Sequence, residues 1–453
     1  MHILFLSDNF PPEVNAPASR THEHTRQWAA AGEQVTVITC APNFPTGRVL
    51  PGYRNRLWQQ ETIDGVRVIR VWSYITANEG FARRVLDYLS YMAMAFVAAL
   101  FVRRVDIVVA TSPQFFTAVA GWAVGAVKRV PFVFELRDLW PESIKAVGAM
   151  KESAAIRWLE RLERFLYRRA ASIVSVTHAF RDTLMKRGID GRKIEVVTNG
   201  VDIARFSPRA KDAALEAALG LQGCFVAGYI GTHGMAHALE TLLAAMQRLR
   251  EDPAHPQGRD IRLVLLGDGA RKAALREEAA RRGLAGTVHF IDTVRKDEVA
   301  RYWSLLDASI IHLRRTELFT TVIPSKLFEC MGMGIPVLHG VAGESAAIVE
   351  REGCGIVFEP ENAEALVEAL LRLKADAALR ERLREAGLKA ARRYDRAALA
   401  ARMLASLRST AGLAPGATGA ASGIEPGNGT GNAADAGAGA GAGAGKGDPA
   451  AGT

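Results

Sequence analysis

The sequence predicts an α/β protein made of two doubly wound, parallel-sheet domains that face each other across a cleft. Three observations predict it. Short apolar runs rich in Val and Ile alternate with stretches of helical period, the pattern of parallel strands joined by crossover helices. The alternation comes in two successive series that meet near residue 206. The chain's 453 residues, 49% hydrophobic and 23% charged, suffice for two cores rather than one.

The first series predicts strands at 3–6, 35–39, 66–71, 107–110, 132–135, 173–176 and 195–197. The apolar start, residues 1–6, is too short for a signal peptide and lacks a basic beginning, so it is a strand. The loop over 7–20 feeds a helix that ends near Gly32. The apolar run 85–102 sits between Arg83-Arg84 and Arg103-Arg104 and approaches the ~20 residues of a membrane span. Asp87 and Ser90 interrupt it, and the fold needs a helix here. A span, a buried helix and a helix lying on the membrane interface all remain open.

The second series predicts strands at 225–230, 262–266, 289–290, 308–312, 336–338 and 355–358. The join, Thr198-Asn199-Gly200-Val201-Asp202, is by itself a turn signal. The predicted organisation is an N-terminal domain over 1–205 and a C-terminal domain over 206–394, followed by a helical pattern over 395–410. Residues 411–453 form a Gly/Ala-dominated tail with too little apolar surface to offset its ordering entropy, and are expected to be disordered.

The 57 basic and 48 acidic residues leave a net charge of +9 and a pI near 9.5, which suits polyanionic partners. Four scattered cysteines indicate neither a zinc site nor a disulfide framework, so a reducing cytosol is the simplest compartment. No Asp-x-Asp occurs, and no G-x-G-x-x-G follows the first strand, which argues against a dinucleotide-dependent oxidoreductase.

Most informative is Val322-Ile323-Pro324-Ser325-Lys326-Leu327-Phe328-Glu329. Pro324 suits the first helical position. Ser325 and Lys326 then stand in a first turn whose free N–H groups and dipole favour an anion, and the ammonium adds a full charge. Glu329 shares their face and can accept from ribose hydroxyls. Read from spacing alone, a surface helix with a solvated Lys/Glu pair is the plainer alternative.

This segment resembles the nucleotide-sugar motif of GT-B glycosyltransferases of family 4, and the likeness covers most of residues 1–408. The narrower string Thr-Val-Ile-Pro-Ser-Lys-Leu-Phe-Glu resembles O-antigen transferases of the fucosamine-transferase type. The resemblance implies that Ser325 and Lys326 hold the donor's phosphates and Glu329 its ribose. In the family an earlier Glu stands where this chain has Thr321, so that residue's role toward the donor sugar is open.

The resemblance also implies that the helical pattern over 395–410 returns to the N-terminal domain, and it places other residues. Glu13, Asn15 and Arg20 are assigned to the acceptor side of the cleft, against the alternative of helix capping and a solvated Arg. Arg137-Asp138 follows a strand; Asp138 is expected to orient an acceptor hydroxyl and Arg137 to reach phosphate, unless they form a structural pair. Gly231 and Thr232 open a Gly-rich loop that can offer N–H groups to phosphate, although Thr232 and His237 stand where the family usually has Arg and Lys. Val294 is expected against the nucleobase. His233 and His237 lack the acidic partner of a metal site.

The expected function is a retaining, metal-independent transferase that moves a sugar from a UDP-type nucleotide sugar to a lipid-pyrophosphate-linked glycan. The sugar is expected to be an N-acetylated deoxyamino sugar. Other GT-B chemistry, such as an epimerase or phosphorylase, and a non-catalytic binding module are the alternatives. No cofactor, metal or nucleic-acid partner is expected. The expected location is the cytoplasm, with peripheral attachment to the anionic inner leaflet.

Overall fold

Each series of alternating apolar runs folds into its own sheet, parallel throughout in the second and parallel but for one edge strand in the first. In the computed structural model the described residues are 1–413 apart from 14, 45, 77–80, 141–153, 255 and 296–297. The expectation of a disordered tail therefore falls, from residue 414 on, outside the described residues.

The N-terminal sheet contains β1 (His2–Leu6), β2 (Gln34–Cys40), β3 (Trp58–Ile63), β4 (Val66–Val71), β5 (Ile107–Thr111), β6 (Phe132–Leu136), β7 (Ser172–Ser175) and β8 (Ile194–Val196). Their order is β3-β4-β2-β1-β5-β6-β7-β8. In β1, Leu4 and Leu6 enter one core while Ile3 and Phe5 enter another on the opposite face. A parallel strand covered by helices on both sides must be apolar on both faces, and this one is.

One element was not anticipated. β3 pairs antiparallel with β4 at the sheet edge and shows alternating exposure rather than an apolar run. Its signal was the turn Asp64-Gly65, both residues at positive φ, +49° and +81°, as a tight hairpin requires.

The N-terminal helices are α1 (Ala16–Ala30), α2 (Phe81–Phe101), α3 (Phe115–Lys128), α4 (Ala154–Arg169) and α5 (His178–Lys186). One face of α2 is buried through Tyr91, Ala95, Ala98 and Ala99. Its other face leaves Leu86, Leu89, Val97, Leu100 and Phe101 exposed, the last at 71%. The helix is long and apolar enough to cross a membrane, yet it packs against the core along one side.

The C-terminal sheet contains β9 (Phe225–Ile230), β10 (Ile261–Leu266), β11 (Val288–Ile291), β12 (Ala308–His312), β13 (Val337–Gly340) and β14 (Gly355–Val357), in the order β11-β10-β9-β12-β13-β14. Its helices are α6 (Ala213–Ala218), α7 (Glu240–Glu251), α8 (Lys272–Arg281), α9 (Val299–Trp303), α10 (Lys326–Met333), α11 (Glu344–Glu352), α12 (Ala363–Ala375) and α13 (Ala377–Ala391).

The last helix, α14 (Arg396–Thr410), returns to the first sheet. Its Leu399, Ala400, Met403, Leu404 and Leu407 join the core that holds Ile3 and Phe5. The Trp28 indole N–H on α1 donates to the Ala400 carbonyl at 2.8 Å. A second tie crosses between the sheets' helices: the Glu344 carboxylate accepts from the backbone N–H groups of His178 and Ala179, at 2.9 and 2.7 Å. A carboxylate suits the positive end of α5.

Candidate functional site

In both sheets the first strand lies where the order reverses, with β1 between β2 and β5 and β9 between β10 and β12. Loops leaving such strands diverge and open a crevice at their carboxyl ends. A cavity of about 470 Å³ lies there, lined by residues of both sheets' loops and helices.

The C-terminal wall holds Gly231, Thr232 and His237 after β9, Asp268 after β10, Val294 after β11, and Ser325, Lys326 and Glu329 at the start of α10. The α10 helix begins at Lys326, so Pro324 precedes the helix instead of taking its first position. Ser325 makes no side-chain cap bond to the helix it opens.

The glycines fit the loops together. Gly231 has φ +149°, and a Cβ there would lie 2.6 Å from the Lys326 Nζ. Gly267 has φ +142°, and a Cβ there would run into the Gly231 carbonyl oxygen. Neither position admits a side chain without displacing the other loop or the ammonium.

Lys326 Nζ is buried and has no hydrogen-bond partner among the described residues. It stands 3.7 Å from the centroid of the Tyr229 ring, a cation–π contact that partly offsets lost hydration. Burial lowers its pKa to about 8, with Cys330 and Glu329 acting in the opposite sense. A buried cation without an anion is held ready for one. His237 lines the same wall, its Nδ1 without a hydrogen-bond partner among the described residues, and burial followed by the Lys326 charge lowers it to about 4, so it is a neutral imidazole. His233 is likewise lowered to about 4 by burial, then by Lys272 and Lys326.

The N-terminal wall is one stripe of α1. Ala16, Ser19, Arg20, Glu23 and His24 fall at i, i+3, i+4, i+7 and i+8, and Asn199, Gly200 and Arg396 complete it. Arg20 lines the cavity but is spent on structure. It donates to Glu135 Oε1 at 2.8 Å and to the carbonyls of Val197 and Thr198 at 2.9 and 2.8 Å.

Other expected residues lie elsewhere. Glu13 is buried, accepts from the Asn43 and Phe44 N–H groups at 2.8 and 2.9 Å, and does not line the cavity. Asn15 caps α1 by accepting from Ala18 N at 2.9 Å, the capping alternative, and is not a lining residue either. Arg137 and Asp138 also stand outside the lining, their backbone N–H groups donating to Ser112 Oγ at 2.7 and 3.2 Å. Burial lowers Arg137 to about 10, against the Glu135 charge. Thr321 turns inward on its own short helix, donating to Leu318 O at 2.8 Å, and does not line the cavity. The structure thus groups Arg20, Gly231, Thr232, Val294, Ser325, Lys326 and Glu329, and leaves Glu13, Asn15, Thr321, Arg137 and Asp138 apart. Ser19, Glu23, His24 and Arg396 were missed. The polar stripe on α1 was the available signal.

Comparisons with known proteins agree with this architecture. Residues 15–200 match the model of the glycosyl transferase 4-like domain, and residues 222–390 match that of glycosyl transferases group 1. A protein of Escherichia coli described as the colanic acid biosynthesis glycosyl transferase WcaI is 24% identical over 398 residues, 84% of this chain and 95% of its own. Among solved structures, sucrose-phosphate synthase from Thermosynechococcus elongatus superposes with TM-score 0.69 at 18% identity, covering 90% of this chain and 98% of its own. Anabaena HepE in complex with UDP and glucose gives 0.66 at 18% identity, covering 90% and 99%. At such identities the structural likeness establishes the fold, GT-B.

Proposed function

Because the chain is a glycosyltransferase of GT-B fold, built from a glycosyl transferase 4-like and a group 1 domain, we propose that it takes a sugar from a UDP-type donor and passes it to a lipid-pyrophosphate-linked glycan for a surface polysaccharide. The observation that carries this reading is Lys326: a buried ammonium with no hydrogen-bond partner among the described residues, set against Gly231 in a cavity that also presents Ser325 and Glu329. A diphosphate is the ligand that such a cation lacks. Glu329, one turn along α10, then faces the ribose, and Val294 the base.

In this reading the chemistry is retaining and rests on position and charge. Lys326 and the N–H groups of the Gly231 loop and the α10 start stabilise the negative charge that grows on the departing diphosphate. The transferred sugar is an N-acetylated deoxyamino sugar, and no metal is required. The WcaI relative's description, colanic acid biosynthesis, supports a polysaccharide setting, and HepE's complex with UDP supports a uridine donor. The exposed apolar face of α2, next to Arg83, Arg84, Arg103 and Arg104, supports peripheral attachment to the inner leaflet from the cytoplasm.

The test is nucleotide release from a panel of UDP-, GDP- and dTDP-sugars, with and without a lipid-pyrophosphate-linked acceptor. Release of UDP from one donor, accelerated by acceptor, is expected. Silence on every donor, or a preference for GDP or dTDP, overturns the reading.

A further inference from the structure

The N-terminal wall of the cavity holds a carboxylate that structure uses only in part. Glu23 on α1 is 13% exposed and spends one carboxylate oxygen, Oε1, on the Arg396 guanidinium of the returning helix. Arg396 is itself fixed, its Nε donating to the Gly200 carbonyl at 2.7 Å. The second oxygen, Oε2, shows almost no exposed surface at the cavity wall and has no hydrogen-bond partner among the described residues. A buried carboxylate oxygen left bare is costly and calls for a partner that arrives later.

Charge decides which part of a substrate that is. A carboxylate only accepts hydrogen bonds, and the guanidiniums that line this wall are already neutralised, Arg396 by Glu23 and Arg20 by Glu135, so the wall does not call for an anionic diphosphate. The diphosphate's place is the opposite wall, at Lys326. Beside Glu23, His24 is fully buried and brings no positive charge, since burial and then Arg20, Arg137 and Arg396 hold it well below its ordinary pKa. A neutral ligand rich in donors fits this wall. We propose that Glu23, oriented by Arg396, accepts a hydrogen bond from a sugar hydroxyl of the substrate, so that α1 and the returning helix together read the glycan. The hydroxyl belongs either to the sugar being transferred or to the acceptor.

This assignment rests on the donor reading above. The test compares wild type, Glu23→Gln and Arg396→Lys for UDP affinity by calorimetry, and for turnover of the nucleotide sugar and acceptor that wild type uses. Glu23→Gln keeps the bond to Arg396 while putting a donor where the acceptor oxygen stood. Expected is UDP affinity within about twofold of wild type and a loss in kcat/KM of roughly tenfold to a hundredfold. The loss falls on the nucleotide sugar if the hydroxyl is the donor's and on the acceptor glycan if it is the acceptor's. Arg396→Lys, which keeps the charge but not the fork, should lose less in the same parameter. Turnover within twofold of wild type for both substrates overturns the assignment, as does a parallel fall in UDP affinity. If Glu23→Gln does not fold, Arg396→Lys decides alone by the same criteria. A wild type silent on every donor overturns the donor reading first, and this assignment with it.

Discussion

Arg20 on the first helix and Glu135 at the end of the sixth strand form a nearly sealed ion pair, Nε to Oε1 at 2.8 Å with side chains 7% and 1% exposed. Burial alone would raise the Glu135 pKa. The Arg20 and Arg137 charges outweigh it and hold the carboxyl below its ordinary value. The same guanidinium takes the Val197 and Thr198 carbonyls, so it ties α1, the sheet and the interdomain join in one bond set.

Removing Arg20 leaves Glu135 buried with its main partner gone. Arg20→Ala is expected to destabilise the protein by about 3–5 kcal/mol, read as a lower urea midpoint. Because the folded pKa of Glu135 is depressed, its contribution is present above the ordinary value of 4.5 and is lost as pH falls through the folded value. Wild type and Arg20→Ala should therefore converge in stability on acidification. A mutant that melts like wild type at neutral pH contradicts this account.

Truncation separates tail from helix. Ending the chain after Leu413 should leave folding and turnover unchanged. Ending it after Asp395 removes Leu399, Met403, Leu404 and Leu407 from the core that holds Ile3 and Phe5, each contributing about 1.5–3 kcal/mol. That sum rivals the whole stability of an ordinary protein, so this shorter chain should not yield a soluble, cooperatively melting product. Cooperative melting of the shorter chain, followed by circular dichroism, would refute the role given to α14.

Why some of this was legible follows from where the signals lie. β1 and β5 are buried on both faces, so their apolar runs are continuous; β3 is an edge strand of mixed exposure and escaped notice. In the cavity, Ser325, Lys326 and Glu329 are close in sequence and share a helix start, which local spacing can reveal. The Glu23–Arg396 pair spans 373 positions, and no local pattern joins its halves. Glu13 and Asn15 do not line the cavity for a related reason. Polar residues after a strand can serve the cleft or satisfy loop backbone, and only tertiary contacts such as Asn43 N to Glu13 decide which.

Membrane attachment should be electrostatic in large part, since each surface cation near anionic lipid contributes about 1 kcal/mol. Changing Arg83, Arg84, Arg103 and Arg104 to Glu should move the protein from the membrane to the soluble fraction in flotation assays. Wild type should leave membranes in alkaline carbonate. Resistance to carbonate would make α2 a true span.

The low pKa of Lys326 predicts how donor binding varies with pH. Its folded value, about 8, lies below the ordinary 10.5, so the folded protein disfavours the charged form and gains stability as pH rises from about 8 toward 10.5. UDP binding runs the other way, because the diphosphate needs the ammonium. UDP affinity should fall as pH rises past about 8, and binding there should take up a proton, detected by calorimetry in buffers of different ionisation enthalpy. Lys326→Met should bind UDP weakly and without that proton uptake. An equal pH dependence in the mutant would assign the proton to another group.

The sharpest expectation sets Lys326 and Glu329 against Thr321. If Lys326 neutralises the leaving diphosphate, its charge matters more as the glycosidic bond breaks than in the bound donor, so Lys326→Ala should lower kcat as well as weaken binding. Lost charge-stabilising donors of this kind cost on the order of 2–4 kcal/mol, a factor of tens to hundreds in rate. Glu329→Gln keeps its size but accepts more weakly from ribose hydroxyls. Because the ribose is unchanged by the reaction, this substitution should raise the donor KM more than it lowers kcat. Thr321→Ala should be mild, since the Thr321 hydroxyl is engaged with the Leu318 carbonyl and does not line the cavity. Steady-state kinetics of the three variants decide the matter: near-wild-type turnover in Lys326→Ala beside crippled turnover in Thr321→Ala would put the donor somewhere other than against Gly231 and α10.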